Sequence, residues 1–286
     1  MPHSAPVDGF RLAYDRAGSG PPVVLLHGWP GDRHDFRHVL PLLTGAADVI
    51  TVDLRGFGES GKHTGPPRDA YSAAAQARSV AGLIDELNLE SPVLAGYDVG
   101  SRIAQTVVTL GPARCHAIVV APPLPGPGDR VFSIDAQREF WYQPFHQLDL
   151  AAEIIDGRPD AVRAYLRHFW AHWSGPEFTL PEADLDRLAG LYGPPGAFIA
   201  SIGWYRAGSG TVATAARERP PAPADRISTP VTVLWPEHDP LFPRAWSDRL
   251  DEFFADVDLR PVDGAGHFVP LEAPAPFAAA ILDRLI

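Results

Sequence analysis

The stretch Val93-Leu94-Ala95-Gly96-Tyr97-Asp98-Val99-Gly100-Ser101-Arg102 decides the fold of this chain. It opens with a short, continuously apolar run, which is typical of a buried strand in a parallel sheet. Gly96 and Gly100 give a sharp turn room and allow a following helix to pack closely. A helical pattern then covers residues 101–110 and ends at Gly111-Pro112. We therefore predict a strand, a tight turn that carries Asp98, and a helix.

Asp98 is the central residue of a Gly-x-Asp-x-Gly turn of the kind called a nucleophile elbow, where a serine is more usual. A carboxylate is already ionised at pH 7. It can therefore attack a saturated carbon directly and form an ester with the substrate. We interpret Asp98 as the nucleophile of a reaction with a covalent intermediate.

Other short apolar runs alternate with helical patterns on both sides of this turn. The predicted strands cover residues 22–26, 49–53, 93–97, 117–121, 231–235 and 257–262, and further predicted helices cover 71–89 and 276–286. Continuously apolar strands separated by helices predict an α/β fold with a mostly parallel, doubly wound sheet.

The alternation stops at Pro122-Pro123 and resumes after Pro220-Pro221-Ala222-Pro223. Between these points, helical patterns rich in aromatic residues cover residues 138–155, 159–173 and 181–191. The simplest interpretation is a core interrupted by an inserted helical cap. We predict the first part of the core at 1–124, the cap at 125–225 and the second part of the core at 226–286.

Composition excludes several classes of function. The chain has 286 residues, of which 45% are hydrophobic, so it can bury a sizeable core. The net charge of −11 and the lack of a basic cluster argue against a nucleic-acid partner. We see no secretory signal, no apolar run of the roughly 18 residues that a membrane span needs, and no zinc-ligand spacing. We expect a soluble cytoplasmic protein with neither metal nor organic cofactor.

Two residues after later strands complete a candidate catalytic triad with Asp98. Asp239 follows the strand at 231–235, and His267 follows the strand at 257–262. The order nucleophile, acid, histidine is that of a known triad, and open α/β sheets place their sites beyond the carboxyl ends of strands. Glu237 is a rival acid, but the Asp239-Pro240 turn favours Asp239.

The loop His27-Gly28-Trp29-Pro30-Gly31 follows the strand at 22–26 and suits an oxyanion hole. Backbone N–H groups stabilise the negative oxygen that forms when an ester carbonyl is attacked. The predicted donors are Trp29 and Val99, the residue after the nucleophile. Pro30 has no N–H, and a cis Trp29–Pro30 bond is compatible with the sequence.

These motifs resemble the α/β-hydrolase superfamily, and in detail the bacterial epoxide hydrolases. The matching stretches are His27–Pro30, Asp53–Gly58, Gly96–Asp98, Trp141–Asp149 and Trp204–Ala207. Epoxide hydrolases hold two cap tyrosines over the nucleophile, and Tyr142 and Tyr205 stand at the matching positions. The resemblance implies a small apolar epoxide and water as substrates, and Tyr142 and Tyr205 as the acids that assist ring opening. It also implies a pocket lined by His27, Pro30, Trp141, Trp204 and Phe268.

The chain departs from these relatives on both sides of the nucleophile. Val99 stands where many relatives carry an aromatic residue, and Tyr97 replaces a frequent histidine. A haloalkane or haloacid dehalogenase is the nearest alternative, because it uses the same aspartate nucleophile. Arg102 matches one arginine of the fluoroacetate dehalogenase pattern, and Val99 stands at the position of the other. Trp141 and Trp204 are candidates for donating an indole N–H to a departing halide. A non-catalytic ligand-binding protein of the same fold is a third alternative.

Overall fold

A single seven-stranded sheet forms the centre of the computed structural model, which describes residues 2–285. Its order is β1-β3-β2-β4-β5-β6-β7, and only the pair β1–β3 is antiparallel. The strands are β1 Tyr14–Gly18, β2 Pro22–Leu26, β3 Asp48–Val52, β4 Val93–Gly96, β5 Ala117–Val120, β6 Val231–Pro236 and β7 Val257–Val262. The mostly parallel α/β architecture predicted from the sequence is confirmed.

Burial explains which strands the sequence reveals. Every residue of β3, β4, β5 and β6 is buried, as expected for parallel strands that are covered by helices on both faces. Strand β1 was missed because Tyr14–Gly18 is a mostly exposed edge strand with no apolar run. It pairs with β3 from Tyr14↔Val52 to Gly18↔Asp48, and its Arg16 binds both carboxylate oxygens of Asp48 in β3.

Helices cover both faces of the sheet and fill the segment between β5 and β6. They are α1 Leu40–Leu43, α2 Pro67–Tyr71, α3 Ala73–Glu86, α4 Val99–Leu110, α5 Ile134–Glu139, α6 Tyr142–His146, α7 Asp149–Ile155, α8 Pro159–Trp173, α9 Glu182–Tyr192, α10 Ala197–Ser201, α11 Gly203–Arg206, α12 Thr211–Ala215, α13 Val269–Glu272 and α14 Pro274–Leu282. Among residues 2–285, no helix combines the length and the apolar character that crossing a bilayer requires.

Two predicted helices are interrupted. The helix predicted at 71–89 is divided at Ser72, which is extended (φ −62°, ψ 161°) and caps α3 by accepting a hydrogen bond from the N–H of Ala75. The helix predicted at 138–155 is three helices, and Leu148 (φ −83°, ψ 143°) separates the last two. Apolar residues continue across both breaks, so the periodicity conceals them. The closing helix ends at Leu282, and residue 286 of its predicted range lies outside the described residues.

The helices α5 to α12 form an insertion that leaves the sheet continuous. Strand β5 pairs directly with β6, with Ile118 opposite Val231. The chain between these strands therefore leaves the sheet and returns to it. We call this segment the helical insertion; its division at residues 124 and 225 stays a prediction. The sheet order reverses between β2 and β4, and crevices at such switch points hold the sites of open α/β sheets.

Candidate active site

Asp98 lies in a strained turn at the carboxyl end of β4. Its backbone has φ 47° and ψ −121°, a conformation that costs a non-glycine residue about 1–3 kcal/mol and persists only where its surroundings enforce it. A Cβ on Gly96 would lie 2.6 Å from the carbonyl oxygen of Leu26, and one on Gly100 would overlap that oxygen. The two glycines therefore let β4, β2 and α4 meet closely beneath the Asp98 side chain.

The two carboxylate oxygens of Asp98 have different partners. Oδ2 accepts a hydrogen bond of 2.7 Å from the backbone N–H of Trp29. Oδ1 lies 3.7 Å from Nε2 of His267. Val99 is the first residue of α4, where a backbone N–H has no partner within the helix. The geometry leaves Oδ1 as the oxygen that is free to attack a substrate.

His267 is held between two carboxylates. Its Nδ1 lies 2.8 Å from Oδ2 of Asp239, and the other Asp239 oxygen accepts a hydrogen bond from the N–H of Leu241. Glu237 instead accepts a hydrogen bond from the N–H of Gly264. The structure thus brings Asp239 rather than Glu237 to the histidine. Burial opposes the charged imidazole, but Asp239 and Asp98 outweigh it and raise the pKa of His267 to about 10.

We expect deprotonation of His267 to make the protein less stable as the pH rises toward 10. A histidine in an unfolded chain has a pKa of about 6.5, and that of folded His267 is raised to about 10. The stabilisation is therefore complete below about pH 6.5 and is lost as the pH rises through the folded pKa. Melting temperatures of wild type and His267→Gln, measured across this range, should converge as the pH rises.

That comparison isolates the histidine from other groups. Burial and the charge of Asp32 raise the pKa of Asp35 to about 8, so Asp35 titrates in the same range. It does so in both proteins and cancels in the difference between them. A difference in melting temperature that stays constant with pH would contradict the assignment.

Tyr142 and Tyr205 of the helical insertion come together. Their rings are perpendicular, with centroids 5.4 Å apart. Both side chains are buried. Burial, together with the negative charge of Asp98, raises the pKa of both phenols well above 10. Both therefore keep their protons and remain hydrogen-bond donors near the carboxylate.

Gln143 distinguishes the two hydroxyls. The oxygen of Tyr142 accepts a hydrogen bond of 3.1 Å from Nε2 of Gln143. Gln143 is buried, and its own oxygen accepts from the N–H of Val212. The Tyr142 oxygen thus has a fixed donor directed at it, and its own proton is available to another group.

Comparison with known proteins identifies the family of this chain. A family model described as alpha/beta hydrolase fold matches residues 21–274, which is most of the chain. The chain belongs to the α/β-hydrolase fold family. The α/β hydrolase is 29% identical over 286 aligned positions to a soluble epoxide hydrolase of Corynebacterium sp. strain C12, covering 95% of this chain and 92% of that protein.

Further relatives of this α/β hydrolase include both epoxide hydrolases and dehalogenases. A fluoroacetate dehalogenase of Burkholderia sp. is 31% identical over 203 positions, covering 68% of this chain and 64% of that protein. A solved structure of the epoxide hydrolase CorEH without ligand superposes with a TM-score of 0.82 at 26% identity, covering 99% and 97% of the two chains.

The predicted pocket residues of the hydrolase have different surroundings. His27 is buried, with Nε2 accepting from the N–H of Leu54 and Nδ1 at 2.8 Å from the carbonyl of Gly28, so it fixes the loop. Pro30 follows a cis peptide bond and is buried, as is Trp204. Phe268 stacks on Trp170 and also contacts His267 edge-on.

Trp141 is the predicted pocket residue that the structure does not bring to the site. Its side chain is 39% exposed and stacks on Phe169, with Phe145, Tyr165 and His168 around it. The helix α6 that begins at the next residue directs Tyr142 inward, so its neighbour Trp141 points to the outer surface.

Glu272 is a residue of this site that sequence reasoning missed. Its carboxylate accepts hydrogen bonds from the backbone N–H groups of Gly266, Phe268 and Gly175, at 2.7–2.9 Å. Two of these flank His267, whose own N–H donates to the carbonyl of Trp173 in the insertion. Glu272 therefore fixes the histidine loop against the helical insertion. No local sequence signal marked it, because its donors are backbone N–H groups that only the folded loop and insertion bring to the carboxylate.

Proposed function

We propose that this α/β hydrolase is an epoxide hydrolase, which converts a small apolar epoxide and water into a vicinal diol. The observation that carries the proposal is the buried pair Tyr142–Tyr205, whose rings contact each other and both contact Trp29, the residue whose N–H binds Asp98. Opening an epoxide requires a proton at the departing oxygen, whereas halide departure does not. An aspartate nucleophile together with two buried phenol donors suits the first reaction best.

In the first step, Oδ1 of Asp98 attacks one ring carbon and the bond from that carbon to the ring oxygen breaks. Tyr142 gives its proton to this oxygen, so that a hydroxyl group forms beside a new ester bond to Asp98. The Tyr142 phenolate that remains is stabilised by the hydrogen bond from Gln143, and we assign the Tyr205 hydroxyl beside it the role of a second donor.

Formation of the ester prepares His267 for the second step. The raised pKa of His267 depends partly on the charge of Asp98, and the ester removes that charge. His267 then gives up its proton more readily and the phenolate regains one, so no net charge accumulates. Neutral His267, oriented by Asp239, can now accept a proton from water.

The second step hydrolyses the ester. The resulting hydroxide attacks the carbonyl carbon of the Asp98 ester, and the negative charge forms on Oδ2. The N–H of Trp29 already points at this atom, and Val99 is the second proposed donor. Collapse of this intermediate breaks the Cγ–Oδ1 bond, and Oδ1 leaves as part of the product and takes the proton held by His267. The remaining acid proton of Asp98 then returns to His267, which restores the starting charges. The products are the diol and free Asp98.

Dehalogenation is the alternative that the relatives raise, and the surroundings of Arg102 weigh against it. The Arg102 guanidinium donates to Oγ1 of Thr214 at 3.2 Å and is further attracted by Glu218. It lines a cleft with Gln105 and Thr106, and Val99 supplies no charge beside the nucleophile. A haloacid attacked by Asp98 would therefore lack the arginine pair expected for haloacid chemistry.

Product analysis with matched substrates tests the proposal. We expect styrene oxide to give phenylethanediol, chloroacetate and 1-chlorobutane to release no chloride, and Asp98→Asn to abolish turnover. Chloride release without diol formation would show a dehalogenase. Binding of the epoxide without turnover, unaffected by Asp98→Asn, would support a non-catalytic protein.

A further inference from the structure

Tyr97, the residue before the proposed nucleophile, lies beneath the loop that carries the Trp29 donor. Its ring is fully buried. A Cβ on Gly28 would lie 2.8 Å from Cε2 of Tyr97, and one on Gly31 would lie 2.8 Å from its hydroxyl oxygen. The loop backbone therefore rests directly on this side chain, which leaves no room for a larger residue in the loop.

The Tyr97 hydroxyl joins the elbow to the same loop at a second point. It donates a hydrogen bond of 2.6 Å to Oδ2 of Asp35, which also accepts one from the N–H of Asp32. Asp35 is 1% exposed. A buried carboxyl that loses a hydrogen-bond partner is left with an unsatisfied oxygen, which is costly, so this bond holds the loop strongly. The elbow thus contacts the loop through Tyr97–Asp35 and through Asp98–Trp29.

The helical insertion holds the outer side of this loop. The Tyr192 hydroxyl of α9 donates to the carbonyl of Gly31 at 2.7 Å, and Arg187 of α9 binds both oxygens of Asp32. The loop therefore lies between α9 and the elbow. If the Tyr97–Asp35 hydrogen bond were lost, the contacts that α9 makes with the loop would remain. The loop would then move relative to Asp98 rather than unfold.

We propose that Tyr97 is a positioning residue, whose hydroxyl, acting through Asp35, keeps the Trp29 N–H on Oδ2 of Asp98. Resting on the proposed two-step function, this role is needed mainly in the second step. There Oδ2 becomes an oxyanion, and an aligned donor is worth about 10²–10³-fold in rate. In the first step the carboxylate loses charge, so the same donor gives no acceleration.

Tyr97→Phe removes only the hydroxyl and separates these steps. We expect slower ester hydrolysis, with kcat lowered roughly 10-fold or more, because the donor is misaligned rather than removed. KM should fall in parallel, so that kcat/KM, which reports ester formation, stays within about twofold of wild type. Mass spectrometry during turnover should show the Asp98 ester accumulating.

Tyr71→Phe is the matched control. Tyr71 is also buried, and its hydroxyl donates to the carbonyl of His63 at 2.7 Å, away from the loop. The variant Tyr71→Phe should lose about as much folding stability as Tyr97→Phe does, and it should keep the wild-type kcat. Should Tyr97→Phe fail to fold, Asp35→Ala removes the same hydrogen bond from the other side and is expected to have the same kinetic signature. A fall in kcat/KM that matches the fall in kcat, or an unchanged kcat, would overturn the proposal.

Amide hydrogen exchange tests the same role without any substrate. Loss of the Tyr97–Asp35 hydrogen bond in Tyr97→Phe should speed exchange at the Trp29 amide at least 10-fold. Tyr71→Phe keeps that bond and should leave the exchange unchanged. Unchanged exchange would overturn the positioning role even if the wild type makes diol. Faster exchange in a wild type that makes no diol would leave the positioning role supported and refute only the epoxide reaction.

Discussion

His267→Gln stops the reaction after its first step and leaves a substrate ester on Asp98. Glutamine cannot accept a proton from water, and loss of a positioned general base lowers a rate by about 10²–10⁴-fold. Ester formation needs Oδ1 of Asp98 and the proton of Tyr142, and neither depends on the imidazole. Incubation with styrene oxide should therefore give an intact protein heavier by one epoxide, with the added mass in the peptide that contains Asp98.

The double variant Asp98→Asn/His267→Gln is the control and should gain no mass. Wild type offers an independent check in water labelled with ¹⁸O. Water attacks the ester carbonyl, so one turnover should place the label in the Asp98 carboxylate rather than in the diol. Label that appears first in the diol would show direct attack of water on the epoxide and would contradict a covalent intermediate.

The sequence allowed the sheet and the positions of these groups to be predicted because both depend on local signals. Strands β2 to β6 are short apolar runs, β7 alternates apolar and polar residues, and the turn at Asp98 needs glycines at fixed spacing. Asp239 and His267 follow strands, and parallel strands bring their carboxyl ends to one edge. The turn at Pro240 favoured Asp239 over Glu237, and the structure places Asp239 against the histidine.

The remaining features depend on contacts between distant segments, which local patterns do not record. Gln143 looks like any polar residue of an amphipathic helix until Tyr142 folds against it. Trp141 belongs to the same aromatic motif, yet a step of one residue along α6 turns it to the surface. Tyr97 was noticed only as a departure from relatives, because Asp35 lies 62 positions away in the sequence.

Tyr142→Phe slows ester formation more than Tyr205→Phe does. Gln143 donates to the oxygen of Tyr142, so in the proposed mechanism Tyr142 is the direct acid and Tyr205 supports the phenolate that it leaves. Removal of the direct acid should lower kcat/KM by about 10²-fold or more, within the usual range for proton transfer. Removal of Tyr205 leaves the direct donor in place and should cost roughly 10-fold, because a single supporting hydrogen bond to the phenolate is lost.

The double variant Tyr142→Phe/Tyr205→Phe should be little slower than Tyr142→Phe alone, because Tyr205 acts through the oxygen that Tyr142→Phe removes. Single-turnover measurements of ester formation in a His267→Gln background give these rates without interference from hydrolysis. Tyr165→Phe is the matched control, since its hydroxyl lies in the same aromatic cluster but contacts Nε2 of His146 at 2.9 Å. Equal effects of the two single variants, or effects that multiply in the double variant, would mean that each tyrosine reaches the epoxide oxygen independently.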